Sequence, residues 1–86
     1  MDTTERVRDF LVKEADWRGP RSELTAELPL IENRVVDSMT LLRMVAWLES
    51  EFGIEIGDSE VVPRNFGSIE RIARMVGSKL SGQVGT

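Results

Sequence analysis

Apolar residues recur at helical spacing in three stretches of the chain, and a fourth stretch is apolar without a clear period. From Thr4 to Ala15, Val7, Phe10, Leu11 and Ala15 fall on one face, with Arg6, Arg8, Asp9 and Lys13 between them. This predicts a first helix, capped by Thr3 or Thr4, with Glu5 suited to the positive end of the dipole. Gly19-Pro20 closes it off after Trp17. Residues 16–36 then carry Leu24, Leu28, Leu30, Ile31, Val35 and Val36, too many apolar side chains for a free polar loop. They read as a long connection pinned along the core, with one helical turn at 22–27. A connection of this length inside a small domain often has a function.

The second helix is predicted from Ser38 to Phe52, with Asp37 as N-cap and Gly53 as stop. It is too apolar to bury only one face. Leu41, Val45, Leu48 and Phe52 form a stripe assigned to the core. Met39, Leu42 and Ala46 form a second stripe beside it, which reads either as a wide core face or as an exposed docking strip rimmed by Glu49 and Glu51. Ile54-Glu55-Ile56 alternates and Gly57-Asp58 reads as a turn. A short helical piece is expected over 59–62, ended by Pro63. Ser68 caps a last helix whose face is Ile69, Ile72, Ala73, Met75, Val76 and Leu80. Residues 81–86 read as a flexible polar tail beyond a domain spanning 1–80. The fold class is all-α: a small bundle of three main helices and one short one.

With 86 residues the chain makes one small domain. It holds neither Cys nor His, which removes disulfides, zinc sites built on thiolate or imidazole, and Ser-His or Cys-His catalysis. Little chain remains for a substrate cleft, so a non-enzyme is expected, with no metal site. The net charge of −4 argues against nucleic acid. Residues 37–60 set six acids against Arg43, pointing to a basic partner or simply a solvated surface, whereas residues 64–79 are net positive. No apolar run approaches a membrane span, and Met1-Asp2-Thr3-Thr4-Glu5 lacks a signal pattern, so the cytoplasm is the expected setting.

Asp37-Ser38 opens the most apolar helix. A phosphate ester on Ser38 would sit where helix N–H groups and the dipole compensate it, although Asp-Ser at such a place is usually only a cap. The wider context adds to this. Leu30-Ile31-Glu32-Asn33-Arg34-Val35-Val36-Asp37-Ser38-Met39, then Leu48-Glu49-Ser50-Glu51-Phe52-Gly53, then Val62-Pro63-Arg64-Asn65-Phe66-Gly67-Ser68, resembles the acyl and peptidyl carrier proteins over nearly the whole chain. The resemblance implies a four-helix bundle with a long first loop and a short third helix. It implies a 4′-phosphopantetheine arm on Ser38, installed by a phosphopantetheinyl transferase, with Asp37 completing the motif. It also implies acyl or aminoacyl cargo held as a thioester, loaded by an adenylating ligase or acyltransferase and passed to synthase enzymes. Partner contacts would be Met39, Leu42, Arg43, Ala46, Trp47 and Glu49 on a monomeric carrier.

The chain departs from the family pattern in three places. Met39 follows the serine where Leu is common, a conservative swap. Asn33-Arg34 stands where Gly is common, with Asn33 the residue suited to a left-handed turn. Arg43 and Trp47 occupy positions that are acidic or small in fatty-acid-synthesis carriers, so the likeness is rather to free-standing carriers of polyketide or nonribosomal-peptide type natural-product pathways, with a housekeeping fatty-acid-synthesis carrier as the alternative. Trp47 could stack on Arg43, anchor a partner, or lie against the first loop. Two other classes stay open. One is a cofactor-free helical adaptor using the 39–49 face. The other is a small enzyme using Asp37, Glu49 and Glu51.

Overall fold

The computed structural model describes residues 2–15 and 17–84, with side chains as far as 81. Among these residues there are four α-helices and no strand: α1 Thr3–Glu14, α2 Ser38–Phe52, α3 Pro63–Phe66 and α4 Ile69–Val84. The all-α bundle with a short third helix is as expected. α1 buries Val7, Phe10 and Leu11. Its cap is Asp2 rather than Thr3 or Thr4; the Asp2 carboxylate accepts from the Glu5 N–H at 2.9 Å. A carboxylate there both satisfies an orphan donor and meets the dipole, which a hydroxyl does less well.

The long connection is pinned, as its apolar content predicts. Leu24, Leu30, Val35 and Val36 are buried and Leu28 is half-buried, while Ile31 points outward at 41% exposure. Its helical turn is a single 3-10 turn at Arg21–Glu23, shorter than the predicted 22–27 and set immediately after Pro20. Arg21 pairs with Glu5 and Asp9 of α1, and the Arg8 guanidinium donates to the Leu24 carbonyl at 2.8 Å. Two backbone bonds then tie the connection to the other side of the bundle. The Glu70 N–H, one of the orphan donors of α4, bonds the Ala26 carbonyl at 2.9 Å. The Leu30 N–H bonds the Gly67 carbonyl at 2.8 Å.

Leu30 also starts the turn that leads to α2. Its carbonyl accepts from Val35 at 2.9 Å, the Ile31 carbonyl accepts from Arg34 at 3.1 Å, and Arg34 has φ 58°. This is the hydrogen-bond pattern of a Schellman helix end, with the buried pair Leu30 and Val35 as its apolar contact. The left-handed residue is therefore Arg34 and not Asn33. Asn33 instead uses its side-chain amide to donate to the Pro29 carbonyl at 2.7 Å, which holds it in the preceding turn.

α2 has the predicted bounds, and Gly53 ends it in the left-handed conformation, φ 65°. Its core stripe is rotated from the one expected. The buried residues are Thr40, Met44 and Leu48, at i, i+4 and i+8. Leu41, Val45 and Phe52 flank this line half-buried. Beyond Gly53, Ile54 and Ile56 are buried and Glu55 is exposed. The predicted helical piece at 59–62 is instead a 3-10 turn at Asp58–Glu60, and Pro63 starts α3 rather than ending a helix. At the first helical position the missing N–H of Pro costs nothing and its fixed φ suits the helix. Glu60 ties this turn to α4 through Lys79 at 2.8 Å. α4 begins after Ser68, whose hydroxyl accepts from the Arg71 N–H at 3.2 Å, and it buries Ile69, Ile72, Met75 and Val76. It continues through residues 81–84, the start of the segment read as a tail; residues 85 and 86 lie outside the described residues.

Three substitutions check this account by chemical denaturation. Leu30→Ala should lose about 2–5 kcal/mol, whereas Ile31→Ala should stay within about 0.5 kcal/mol. Arg34→Gly should be stabilising. Relief of the left-handed strain is worth about 1–2 kcal/mol, the freer unfolded chain takes back about 0.4–1, and a net gain of roughly 0.5–1 kcal/mol remains.

Candidate functional site

Asp37 and Ser38 stand where the pinned connection becomes α2. Val35 and Val36 are buried immediately before them, so the chain enters the helix from a fixed point. Asp37 is the N-cap, in extended conformation, and its carboxylate accepts from the Thr40 N–H at 2.8 Å. The Asp37 carbonyl accepts the first helical bond from Leu41 at 2.8 Å. Ser38 is the first helical residue and is exposed. A phosphoester on its hydroxyl would lie at the positive end of a 15-residue helix and in open solvent, an arrangement that fits such a group on both counts.

The ionised form of Asp37 is favoured by Thr40, through its backbone N–H first and its hydroxyl second, which holds the carboxyl below its ordinary value of 3.8. Glu60 is likewise held low, by the Lys79 ammonium first and the Gly57 N–H second.

The six residues named with this site as partner contacts do not share one environment. Met39 and Leu42 are 62% and 65% exposed, and Arg43 and Ala46 are exposed beside them. Trp47 is half-buried. It stacks on Phe10 of α1 at 4.8 Å between centroids and meets Phe52 edge-on at 6.0 Å, so its ring faces α1 rather than Arg43 or the first loop. Glu49 is also half-buried, and its carboxylate accepts from the Ile56 N–H at 2.9 Å. It braces the connection after α2 and is not a free rim charge. Thr40 and Met44, which sequence reasoning missed, hold the helix to the core. Their spacing with Leu48 was the available signal, hidden because Thr40 is polar.

The family model for the phosphopantetheine attachment site matches residues 6–76, which takes in most of α1, the pinned connection, α2, α3 and half of α4. The chain belongs to this family of carrier proteins. Its members are non-catalytic, bear phosphopantetheine, are modified by phosphopantetheinyl transferases and serve partner enzymes. The chain is similar to the probable acyl carrier protein PigG of Serratia sp., 31% identical over 58 residues that make up 67% of each chain. It is also similar to aminoacyl carrier protein 1 of Bradyrhizobium diazoefficiens, 32% identical over 59 residues, 69% of this chain and 64% of that one. Among the described residues no helix is long and apolar enough to cross a membrane.

Because the Asp37 carboxyl is depressed, its contribution is complete above the unfolded pKa and is lost as pH falls through the folded one. Asp37→Asn keeps a capping acceptor without the titration. The melting temperature of the wild type should exceed that of the variant near neutrality. The gap should close between about pH 5 and pH 2. A gap that does not change with pH would show that the Asp37 charge does not support α2.

Proposed function

We propose that this carrier holds acyl or aminoacyl groups on a phosphopantetheine arm esterified to Ser38 and presents them to the enzymes of a natural-product pathway. The terminal thiol of the bound arm supplies the thioester linkage to the cargo. The contributions of the chain itself are positional. Ser38 offers an exposed hydroxyl at a fixed helix start, Asp37 holds that start, and Met39, Leu42, Arg43 and Ala46 offer the outward face of α2 to the transferase, to a loading ligase or acyltransferase, and to downstream synthases.

The observation that carries this reading is the pairing of an exposed Ser38 with 62% and 65% exposed Met39 and Leu42 on the same helix. An apolar face left in solvent beside the attachment motif is suited to transient docking, and Met adapts to more than one partner. The natural-product assignment rests on Arg43 standing where a fatty-acid-synthesis carrier would present acid, and on relatives described as acyl and aminoacyl carriers.

Incubation with coenzyme A and a broad-specificity phosphopantetheinyl transferase should add one phosphopantetheine mass to the wild type and none to Ser38→Ala, read by intact mass spectrometry. Labelling of Ser38→Ala, or no labelling of either protein, would sink the assignment. With the holo-protein in hand, a panel of adenylating ligases and acyltransferases should charge the wild type, and Leu42→Asp should be charged at least about tenfold more slowly.

A further inference from the structure

The six acids of residues 37–60 suggest an acidic surface seeking a basic partner, but four of them have internal work. Asp37 holds the Thr40 N–H, Glu49 the Ile56 N–H, Glu51 the Arg6 guanidinium at 3.2 Å, and Glu60 both Lys79 and the Gly57 N–H. The remaining two, Glu55 and Asp58, lie in the connection after α2. The cations show the reverse. Between Arg21 and Arg64 the chain has two bases, Arg34 and Arg43. Both are exposed, and they stand four residues before and five residues after Ser38.

The exposed residues of α2 are Ser38, Met39, Leu42, Arg43, Ala46, Ser50 and Glu51. Of the two charges among them Glu51 is paired with Arg6 of α1, and Arg43 is the cation that stands with the exposed Met39, Leu42 and Ala46. Arg34 adds a second cation at the entrance to the helix, held in place by its left-handed turn. We infer that this carrier docks with its charges reversed from what its composition suggests: its partner enzymes meet the α2 face with an apolar patch flanked by carboxylates. Complementary charge around an apolar contact steers the encounter, and like charges there reject wrong partners. The inference rests on the carrier reading above and names the chemistry of the partner surface for that same face.

The test uses the full ¹⁵N-labelled chain, before and after treatment with the transferase, titrated at low salt with two amphipathic helical peptides, one Leu/Glu and one Leu/Lys. The Leu/Glu peptide should shift the amides of residues 34, 39, 42, 43 and 46, with binding weakened by added salt. The Leu/Lys peptide should move residues 55 and 58 instead. Arg43→Glu should weaken Leu/Glu binding by roughly tenfold. Equal or stronger binding of the Leu/Lys peptide on the α2 face would overturn the inference, as would an Arg43→Glu variant that binds Leu/Glu unchanged. Loss of the Leu/Glu preference in the phosphopantetheinylated form would also overturn it, since the arm's own phosphate would then take up the arginines. Attachment at Ser38 is scored separately by mass. A chain that fails to load but prefers the Leu/Glu peptide sinks the functional proposal and leaves this one standing.

Discussion

Leu30 is where the structure is tied together. Its side chain is fully buried, its N–H reaches across to Gly67 between α3 and α4, and its carbonyl closes the turn that delivers the chain to α2. A long connection without regular structure would ordinarily carry unsatisfied backbone groups and a large entropic cost. Here one residue meets both demands at once, and the Ala26 carbonyl adds a second tie by capping the start of α4. The receiving side is equally constrained. A Cβ at Gly67 would lie 2.6 Å from the Pro63 carbonyl oxygen, so the junction closes this tightly only with glycine.

Most of the architecture was legible because it depends on periodicity and on punctuation. α2 was readable to the residue, since Asp37 and Gly53 are strong signals for a start and a stop and the structure uses both. The orientation of α2 was harder. Large apolar side chains suggested the stripe through Leu41 and Val45, but the line of deepest burial runs through Thr40, whose methyl packs as well as an alkyl group once the hydroxyl is provided for. Pro63 shows the same ambiguity in another form. Proline ends one helix and begins another with equal ease, and only the buried Phe66 three residues on decides which.

The candidate site was legible as a motif but not as a surface. Asp37 caps α2 and Ser38 opens it, as the sequence reads. What could not be read was which charges are already spent. Glu49 and Glu51 look alike in sequence, yet one supports the backbone at Ile56 and the other pairs with Arg6 from α1. Trp47 likewise turns its ring to Phe10, a residue 37 positions earlier. Formal charge along a chain is therefore a poor guide to what a partner meets, because an ion pair such as Arg6 with Glu51 offsets a charge, whereas a backbone hydrogen bond such as that from Ile56 to Glu49 only fixes where the charge sits.

The pinned connection has a mechanical consequence. Buried Val35 and Val36 precede the helix start, and Asp37 locks that start from its own side chain. On the proposed reading, an arm attached at Ser38 would then swing from a stationary pivot. Its reach would be set by the arm's own length, and the direction in which it leaves by the axis of α2. A cargo could be aimed by orienting the protein alone, with no need for the backbone beneath it to move.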